Sequence, residues 1–412
     1  METRPRPTAI ALAELPPLSL YVHLPWCLRK CPYCDFNSHE KRGEIPEEEY
    51  VDALIADLEA SLPDVWGRRL HTIFIGRGTP SLFAPRSIDR LLTAVRTLIM
   101  ADPDTEITME ANPGTFERER FRGFRDAGVN RLSLGVQSFD DAKLAAIGRV
   151  HGADEARRAL EAALEIFPSV NADLMYALPG QELEEAVADV REAIAFGVAH
   201  VSAYHLTLEP DTNFFRFPPA LPDDDVAANM QEAIEDALAG AGYGHYETSA
   251  FAKPGARARH NLNYWTFGDY LGIGAGAHGK ISFRDRITRE ERSRKPLTYL
   301  RGALGGDGIR GSRDVAPSEL PFEFMLNAMR LIEGFPVALF AQRTGLAITA
   351  VDKPLRAVEA AGLVERDHAT IRPTPRGQRF LNDLLEPFLP GTQPRARVVP
   401  INIASPGTSR PS

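Results

Sequence analysis

Cysteine is scarce in this 412-residue sequence, which contains only three. So small and odd a number argues against a disulfide framework and favours a metal site or a reactive thiol in a reducing compartment. Long apolar runs are also missing, since no stretch reaches the roughly 18 residues of a membrane-spanning helix, and the N-terminus lacks a signal-peptide pattern. We therefore expect a cytoplasmic protein with no integral membrane segment. Positive charge is not in excess either, because the formal net charge of −9 disfavours a broad nucleic-acid-binding surface.

The composition that remains is typical of a soluble globular protein. Hydrophobic residues make up 44% of the chain and charged residues 25%, which allows a large core without covalent staples. The length predicts two or three domains, or one large barrel with an appendage.

All three cysteines lie within one segment, YVHLPWCLRKCPYCDFNSH, which spans residues 21–39. Cys27, Cys31 and Cys34 form the spacing C-x3-C-x2-C. Two prolines in the segment disfavour a continuous helix, so we expect a loop after a strand. Such a loop can wrap three thiolates around one centre.

Three kinds of centre compete for these thiolates. A [4Fe–4S] cluster held by three cysteines leaves one iron open to bind a further ligand. A redox pair would leave the third cysteine unexplained. Zinc would need a fourth protein ligand, for which the segment offers His23, Asp35 and His39.

Short apolar runs alternate with amphipathic segments along the first part of the chain. Strands are predicted at 18–24, 72–75, 106–111, 131–136, 170–178 and 200–208. Helices are predicted at 47–62, 87–100 (with Ser87 as N-cap), 115–127, 140–147, 153–166, 183–196 and 224–238. Six successive β-α units predict a parallel sheet covered by helices, either an incomplete barrel or a doubly wound sheet.

The rhythm ends near residue 245, where a glycine-rich stretch and then a charged segment follow. A second unit shows helical spacing at 320–332, 336–343 and 351–361, then a short β-wing and a helix. The predicted organisation is an N-terminal extension, a core, a connecting region, a small C-terminal domain and a disordered tail rich in Pro, Ser and Arg. Their bounds are 1–17, 18–245, 246–315, 316–388 and 389–412.

Polar residues stand where the predicted strands end. GRGTP (residues 76–80) follows the second strand, Glu110 ends the third, Gln137 ends the fourth, and Asp173 lies in the fifth. Buried polar side chains need partners, and a lone Gln is commonly a satisfied core residue. Several at one edge of a parallel sheet favour a shared ligand, because functional residues gather at the carboxyl ends of strands.

The cysteine spacing, with an aromatic residue before the last cysteine, resembles the signature of the radical S-adenosylmethionine superfamily. The resemblance implies a [4Fe–4S] cluster on the three cysteines, with the amine and carboxylate of S-adenosylmethionine on the fourth iron. Further segments, among them EANPGT, LSLGVQSF, DLMYALPGQ, HNLNYWTFGDYLGIGAGAHG and TPRGQRFLNDLL, look like the HemW family of heme chaperones. That likeness covers most of 18–388 and implies a partial (β/α)6 TIM-like barrel with a winged-helix-like C-terminal HemN domain.

The resemblance also implies which residues contact the cofactor. Carboxylates can accept hydrogen bonds from ribose hydroxyls or other polar groups, and an arginine can pair with a carboxylate; a surface salt bridge is the alternative for Arg149. The implied aromatic contacts are Tyr21 and Tyr33, and the implied contacts from the loop after the second strand are Gly78 and Thr79. The implied polar contacts are Glu110, Gln137, Arg149 and Asp173.

One position separates the chaperones from the related oxygen-independent coproporphyrinogen III dehydrogenase, HemN. The dehydrogenase carries a further cysteine two positions after the third and a longer N-terminal segment, whereas this chain has Phe36 at that position. We therefore expect a monomeric or weakly dimeric heme chaperone without dehydrogenase activity, which hands heme to an acceptor protein. Coproporphyrinogen dehydrogenation is the alternative function, and no catalytic residue is assigned.

Heme binding is the least specified part of this prediction. His260 opens HNLNYW and is a candidate axial ligand, although a lone histidine is more often a hydrogen-bonded structural residue, which is the slightly favoured interpretation. Tyr264 and Trp265 could line a porphyrin face or pack in the core. His278, beside several glycines, is a second candidate ligand.

Two further features bear on function. The family loop after the second strand reads G-G-G-T-P, but here Arg77 replaces the middle glycine. If this position needs a positive φ, arginine is strained there; its side chain could crowd the cofactor, point outward or pair with the cofactor carboxylate. The winged C-terminal unit also suggests a nucleic-acid module, a reading weakened by the acidic chain. Its clustered arginines are Arg372, Arg376 and Arg379.

Overall fold

A computed structural model describes residues 10–114, 117–306 and 309–391. The first nine residues of the predicted extension and nearly all of the predicted disordered tail lie outside the described residues, as does the predicted start of the helix at 115–127.

Six parallel strands form the centre of one large sheet. They are β1 (Leu18–Leu24), β2 (Leu70–Arg77), β3 (Ala101–Ala111), β4 (Arg131–Gln137), β5 (Ser169–Tyr176) and β6 (His200–His205). They neighbour one another in chain order, which confirms the predicted β/α repeat and favours the incomplete barrel, because a doubly wound sheet reverses its strand order.

Helices follow each strand. They are α1 (Glu47–Val65), α2 (Pro85–Leu98), α3 (Glu117–Ala127), α4 (Asp141–Ala146), α5 (Ala153–Ile166), α6 (Leu183–Phe196), α7 (Asn213–Arg216) and α8 (Asp224–Gly240). Every residue of β1 is buried, as expected for a parallel strand covered on both faces.

The start of α2 differs from the prediction. The helix begins at Pro85 with Ala84 as N-cap, because proline suits the first helical position, where no backbone N–H is needed. Ser87 therefore lies inside the first turn and donates its hydroxyl to Glu47 at 2.9 Å.

Additional strands extend both edges of the sheet. On the β6 side lie β7 (Gly244–Glu247) and β8 (Ala250–Ala252). Helix α9 (Arg259–Trp265) then leads to β9 (Asp269–Ile273), which pairs parallel with β1 on its other side. The antiparallel strands β10 (His278–Ser282), β11 (Ile287–Arg292) and β12 (Ile309–Asp314) follow, with α10 (Pro296–Leu304) between the last two. The glycine-rich stretch thus contributes strands that the sequence pattern did not predict.

The C-terminal unit has the predicted helices followed by a β-wing. Its elements are α11 (Leu320–Ala328), β13 (Phe335–Pro336), α12 (Val337–Thr344), α13 (Asp352–Ala360), β14 (Val364–Arg366), β15 (Thr370–Pro373), α14 (Pro375–Arg379) and α15 (Leu381–Leu385). Ile10 and Leu12 are buried in the core of this unit, so the N-terminal segment packs against the C-terminal one. No helix within the described ranges combines the length and the apolar character needed to cross a membrane.

Candidate functional site

The three cysteines lie in a loop between β1 and α1, as predicted. The loop is folded by backbone hydrogen bonds, from Cys34 N to Cys31 O at 3.2 Å and from Lys41 N to Cys27 O at 2.9 Å. All three thiols are free and half-buried. Burial raises the pKa of Cys27 and Cys34, so these thiols ionise at neutral pH only when a metal or a cationic neighbour stabilises the thiolate.

His23 anchors this loop to β1. Its Nδ1 lies 2.8 Å from the Tyr21 hydroxyl and its Nε2 lies 2.9 Å from the Asn37 carbonyl oxygen. Burial lowers the pKa of His23 to about 4, so the neutral ring accepts from the tyrosine and donates to the carbonyl. Its lone pair is thereby engaged, which argues against His23 as a zinc ligand. Within the described ranges, no group of His, Cys, Asp or Glu side chains closes around a single metal ion.

A chain of polar contacts joins the cysteine loop to the barrel. The Arg149 Nη1 atom lies 3.7 Å from Cys31 Sγ, while Nη2 donates to Asn112 Oδ1 at 2.6 Å and to the Gly135 carbonyl at 2.9 Å. Asn112 in turn donates to Thr79 Oγ1 at 2.9 Å. Arg149 thus points at a cysteine, and its buried Nε has no partner among the described residues. A cationic donor beside a thiol stabilises its thiolate form, which fits a metal-bound cysteine.

Gly78 fixes the loop after β2 against the cysteine loop. Its N–H donates to the Leu24 carbonyl at 3.0 Å, and the N–H of Thr79 donates to the Trp26 carbonyl at 2.6 Å. A Cβ on Gly78 would lie 2.5 Å from both of these carbonyl oxygens. Only glycine allows the two backbones to approach this closely.

The backbone of Arg77 has a positive φ, which is a strained conformation for a residue other than glycine. Its φ is 84°, and its N–H donates to Glu110 Oε2 at 2.5 Å. The guanidinium lies 4.1 Å from the centre of the Phe36 ring and beside Tyr21. The side chain therefore lies against the cysteine loop; whether it crowds the cofactor or pairs with its carboxylate stays a prediction.

Glu110, Gln137 and Asp173 lie on the neighbouring strands β3, β4 and β5 and are half-buried. Burial and, to a smaller extent, the nearby Asp173 carboxylate raise the pKa of Glu110 to about 7, although the charge of Arg77 opposes this shift. Asp173 accepts from Ser133 Oγ at 2.9 Å and from Asn171 Nδ2 at 2.7 Å. Gln137 has a positive φ of 70°. Glu110 and Asp173 are therefore neighbours, as the strand pattern predicted.

Two cavities flank the cysteine loop. The smaller, of about 320 Å³, is lined by residues including Cys31, Thr79, Asn112 and Arg149. The larger, of about 520 Å³, is lined by residues including Tyr21, Phe36, Arg77, Tyr264, Trp265 and His278. The loop after β2 therefore contributes Thr79 to the smaller cavity, and the last residue of β2, Arg77, lines the larger one.

His260 is buried beside the larger cavity, not in its lining. Its Nδ1 lies 2.8 Å from Glu106 Oε1, and its ring stacks on Phe74 with centroids 4.5 Å apart. Tyr264 and Trp265, from the same helix, do line the cavity. Heme ligation by His260 stays a prediction.

The arginines of the β-wing are engaged within the chain. Arg372 pairs with Glu365 at 2.6 Å and Arg379 with Glu235 at 2.8 Å. Arg376 donates to the Ala361 carbonyl at 3.3 Å. These pairings reduce the positive charge that a nucleic acid would meet.

Two family models match the chain. Residues 21–193 match the Radical SAM superfamily, and residues 315–380 match the HemN C-terminal domain. The first match begins in β1, ends in α6 and contains the three cysteines, and the second spans most of the winged unit.

Curated relatives extend the likeness over nearly the whole chain. Heme chaperone HemW from Escherichia coli (strain K12) is 48% identical over 92% of this chain and 100% of the relative. The chain belongs to the HemW family of heme chaperones. A mouse member of the relatives, radical S-adenosyl methionine domain-containing protein 1, mitochondrial, is 36% identical over 91% of this chain and 88% of its own.

A solved structure supports the fold of this HemW family member. Coproporphyrinogen III oxidase (HemN) from Escherichia coli, described as a radical SAM enzyme, superimposes with a TM-score of 0.77 over 91% of this chain and 90% of its own, at 23% identity. At that identity the likeness concerns the fold alone. Membership of the radical SAM superfamily implies a [4Fe–4S] cluster and S-adenosylmethionine as cofactors.

Proposed function

We propose that this HemW family member binds heme and delivers it to an acceptor protein, and that it carries a [4Fe–4S] cluster and S-adenosylmethionine. The observation that carries the proposal is the larger cavity, which has aromatic walls and borders the cysteine loop through Phe36. Its volume lies in the range of about 300–1,000 Å³ that small-molecule sites occupy.

In this proposal Cys27, Cys31 and Cys34 hold the cluster. The bound cluster would supply an open iron for S-adenosylmethionine. Arg149 contacts Cys31 Sγ, and the contacts through Asn112 to Thr79 fix the position of the arginine. The remaining cofactor contacts are assigned to Tyr21, Tyr33, Gly78, Glu110, Gln137 and Asp173, of which the carboxylates can accept hydrogen bonds from cofactor hydroxyls.

Heme is placed in the larger cavity. Tyr264 and Trp265 offer aromatic surface to a porphyrin face. Burial lowers the pKa of His278, so its imidazole is neutral at neutral pH and can ligate iron. His278 is therefore our first candidate for the axial ligand, and His260 the second.

Dehydrogenation of coproporphyrinogen is the alternative. Where the dehydrogenase carries a further cysteine, this chain has the Phe36 ring, which is covered by the Arg77 guanidinium. We therefore expect no protoporphyrinogen to form from coproporphyrinogen in an anaerobic assay. Its formation would overturn the choice of chaperone over enzyme.

The deciding experiment is anaerobic reconstitution with iron and sulfide, followed by absorption spectra with and without heme. We expect iron–sulfur absorption that disappears when all three cysteines are replaced by alanine, and a separate Soret band on heme addition. His278→Ala should shift the Soret band, whereas His368→Ala, in the exposed turn of the β-wing, should not. No Soret band in the unaltered protein would refute heme binding, and an unchanged band in His260→Ala would exclude that residue as ligand.

A further inference from the structure

Two of the cationic side chains that line the larger cavity already form an ion pair with a carboxylate. Lys280 pairs with Asp269 at 2.7 Å, and Arg289 pairs with Glu323 at 2.7 Å. Arg77 and Arg294, which also line this cavity, make no ion pair within the described parts of the chain. The backbone N–H of Arg77 donates to Glu110, whose charge also acts on the guanidinium; burial raises the pKa of Glu110 to about 7, so at neutral pH Glu110 offsets only part of the arginine charge.

Arg77 is also held in place. Its N–H is fixed by Glu110 and its guanidinium is stacked on Phe36, which restricts a long side chain that would otherwise lose rotamer entropy on binding a ligand. The residue retains a positive φ that glycine would adopt without strain. A strained residue at a cavity wall points to a function of its side chain.

We propose that Arg77 is a carboxylate-binding residue of the larger cavity, and that its guanidinium pairs with a carboxylate of the bound ligand. Arginine suits this role because its planar fork of N–H donors matches a carboxylate. The inference rests on the proposed function, which offers two carboxylate sources: the propionates of heme and the methionyl carboxylate of S-adenosylmethionine.

The first arm of the test compares heme with heme dimethyl ester, which lacks the negative charges. Both are titrated into the full chain, and dissociation constants are read from the Soret band. If heme is the source, Arg77→Gly weakens heme binding about tenfold to a hundredfold and leaves the diester unchanged, while Arg77→Lys loses less. The matched control is Arg286→Gly, since Arg286 is also stacked on a ring, 4.0 Å from Phe283, but does not line the cavity.

The second arm measures calorimetric binding of S-adenosylmethionine and of its decarboxylated analogue to the anaerobically reconstituted protein. If the methionyl carboxylate is the source, Arg77→Gly weakens the binding of S-adenosylmethionine but not of its decarboxylated analogue. The dissociation constants of heme and of its diester then do not change. Equal loss for the charged ligand and its uncharged counterpart, or no loss in either arm, overturns the proposal. If the unaltered protein does not bind heme, the proposed function is refuted, but the second arm still tests Arg77. If the unaltered protein binds neither heme nor S-adenosylmethionine, both the proposed function and the role of Arg77 are refuted.

Discussion

The carboxylate of Glu106 on β3 accepts two hydrogen bonds from His260 on α9, one from the backbone N–H at 3.0 Å and one from Nδ1 at 2.8 Å. A third comes from the backbone N–H of Arg259, also at 3.0 Å. Helix α9, which contributes Tyr264 and Trp265 to the lining of the larger cavity, is therefore attached to β3 through one buried carboxylate.

Replacing that carboxylate should change the acid stability of the protein. Burial tends to raise the pKa of Glu106, but the hydrogen bond and charge of His260 lower it to about 2. Because the folded-state pKa lies below the ordinary 4.5, this stabilisation is complete above about pH 4.5 and is lost as the pH falls towards 2. We expect Glu106→Gln to lower the free energy of unfolding by about 1–3 kcal/mol at pH 7.

Urea unfolding at a series of pH values checks this expectation. The gap between Glu106→Gln and the parent should narrow between pH 4.5 and pH 2. Glu165→Gln is the control, since its pKa is lowered by an exposed pair with Arg118 and its loss should matter little. A gap that does not change with pH would contradict the prediction.

Gly78 should tolerate no side chain. In Gly78→Ala the new Cβ would meet the carbonyl oxygens of Leu24 and Trp26 at 2.5 Å, so the two loops must separate, at about 1–3 kcal/mol. The thermal unfolding temperature and the amount of iron bound after reconstitution should both fall. Gly240→Ala, at the end of α8 where nothing lies within 4 Å, should be neutral or stabilising by up to about 1 kcal/mol. Equal effects of the two substitutions would refute the packing argument.

Arg77 offers a direct measure of backbone strain. Both Arg77→Ala and Arg77→Gly remove the guanidinium, but only glycine adopts the φ of 84° without a Cβ penalty. We expect the glycine variant to be more stable than the alanine variant by about 1 kcal/mol, measured by chemical denaturation. An alanine variant at least as stable as the glycine variant would show that the backbone relaxes at this position.

The N-terminal segment should contribute to global stability. Leu12 is buried among the side chains of the C-terminal core, so Leu12→Ala should cost about 2–5 kcal/mol in thermal or chemical unfolding. The nearby Leu15 is 39% exposed, and Leu15→Ala should change stability by about 0.5 kcal/mol or less. Similar losses from both would mean that burial of Leu12 is not what matters.

Local pattern predicted the barrel well because its signals are local. β1 matches its predicted bounds, and so do α5 and α6, the last of which ends at Gly197 with a left-handed φ of 80°. The pattern missed β9, because Gly272 within the strand and the glycines on either side of it hide any alternation. That strand forms because β1 offers it a parallel edge, and such a partner, far away in the sequence, leaves no local trace.

The site was predictable to a similar degree. The cysteine spacing and the resemblance to a family brought Cys31 and Arg149 together before any distance was known. Asn112, which links Arg149 to Thr79, was missed, although it lies only two residues after Glu110. The contact between Arg77 and Phe36 joins the end of β2 to the cysteine loop, and a contact between residues this far apart in the chain leaves no local signal in the sequence.

The position of β1 has a consequence for biosynthesis. β1 lies between β2 and β9, so the first strand to leave the ribosome has one neighbour early and the other only after residue 269 is made. Ile10 and Leu12 wait still longer for the helices that cover them. An unpaired strand edge and exposed apolar side chains favour aggregation in a nascent chain. β1 of this protein thus gains its second neighbouring strand only after more than half of the chain has been synthesised.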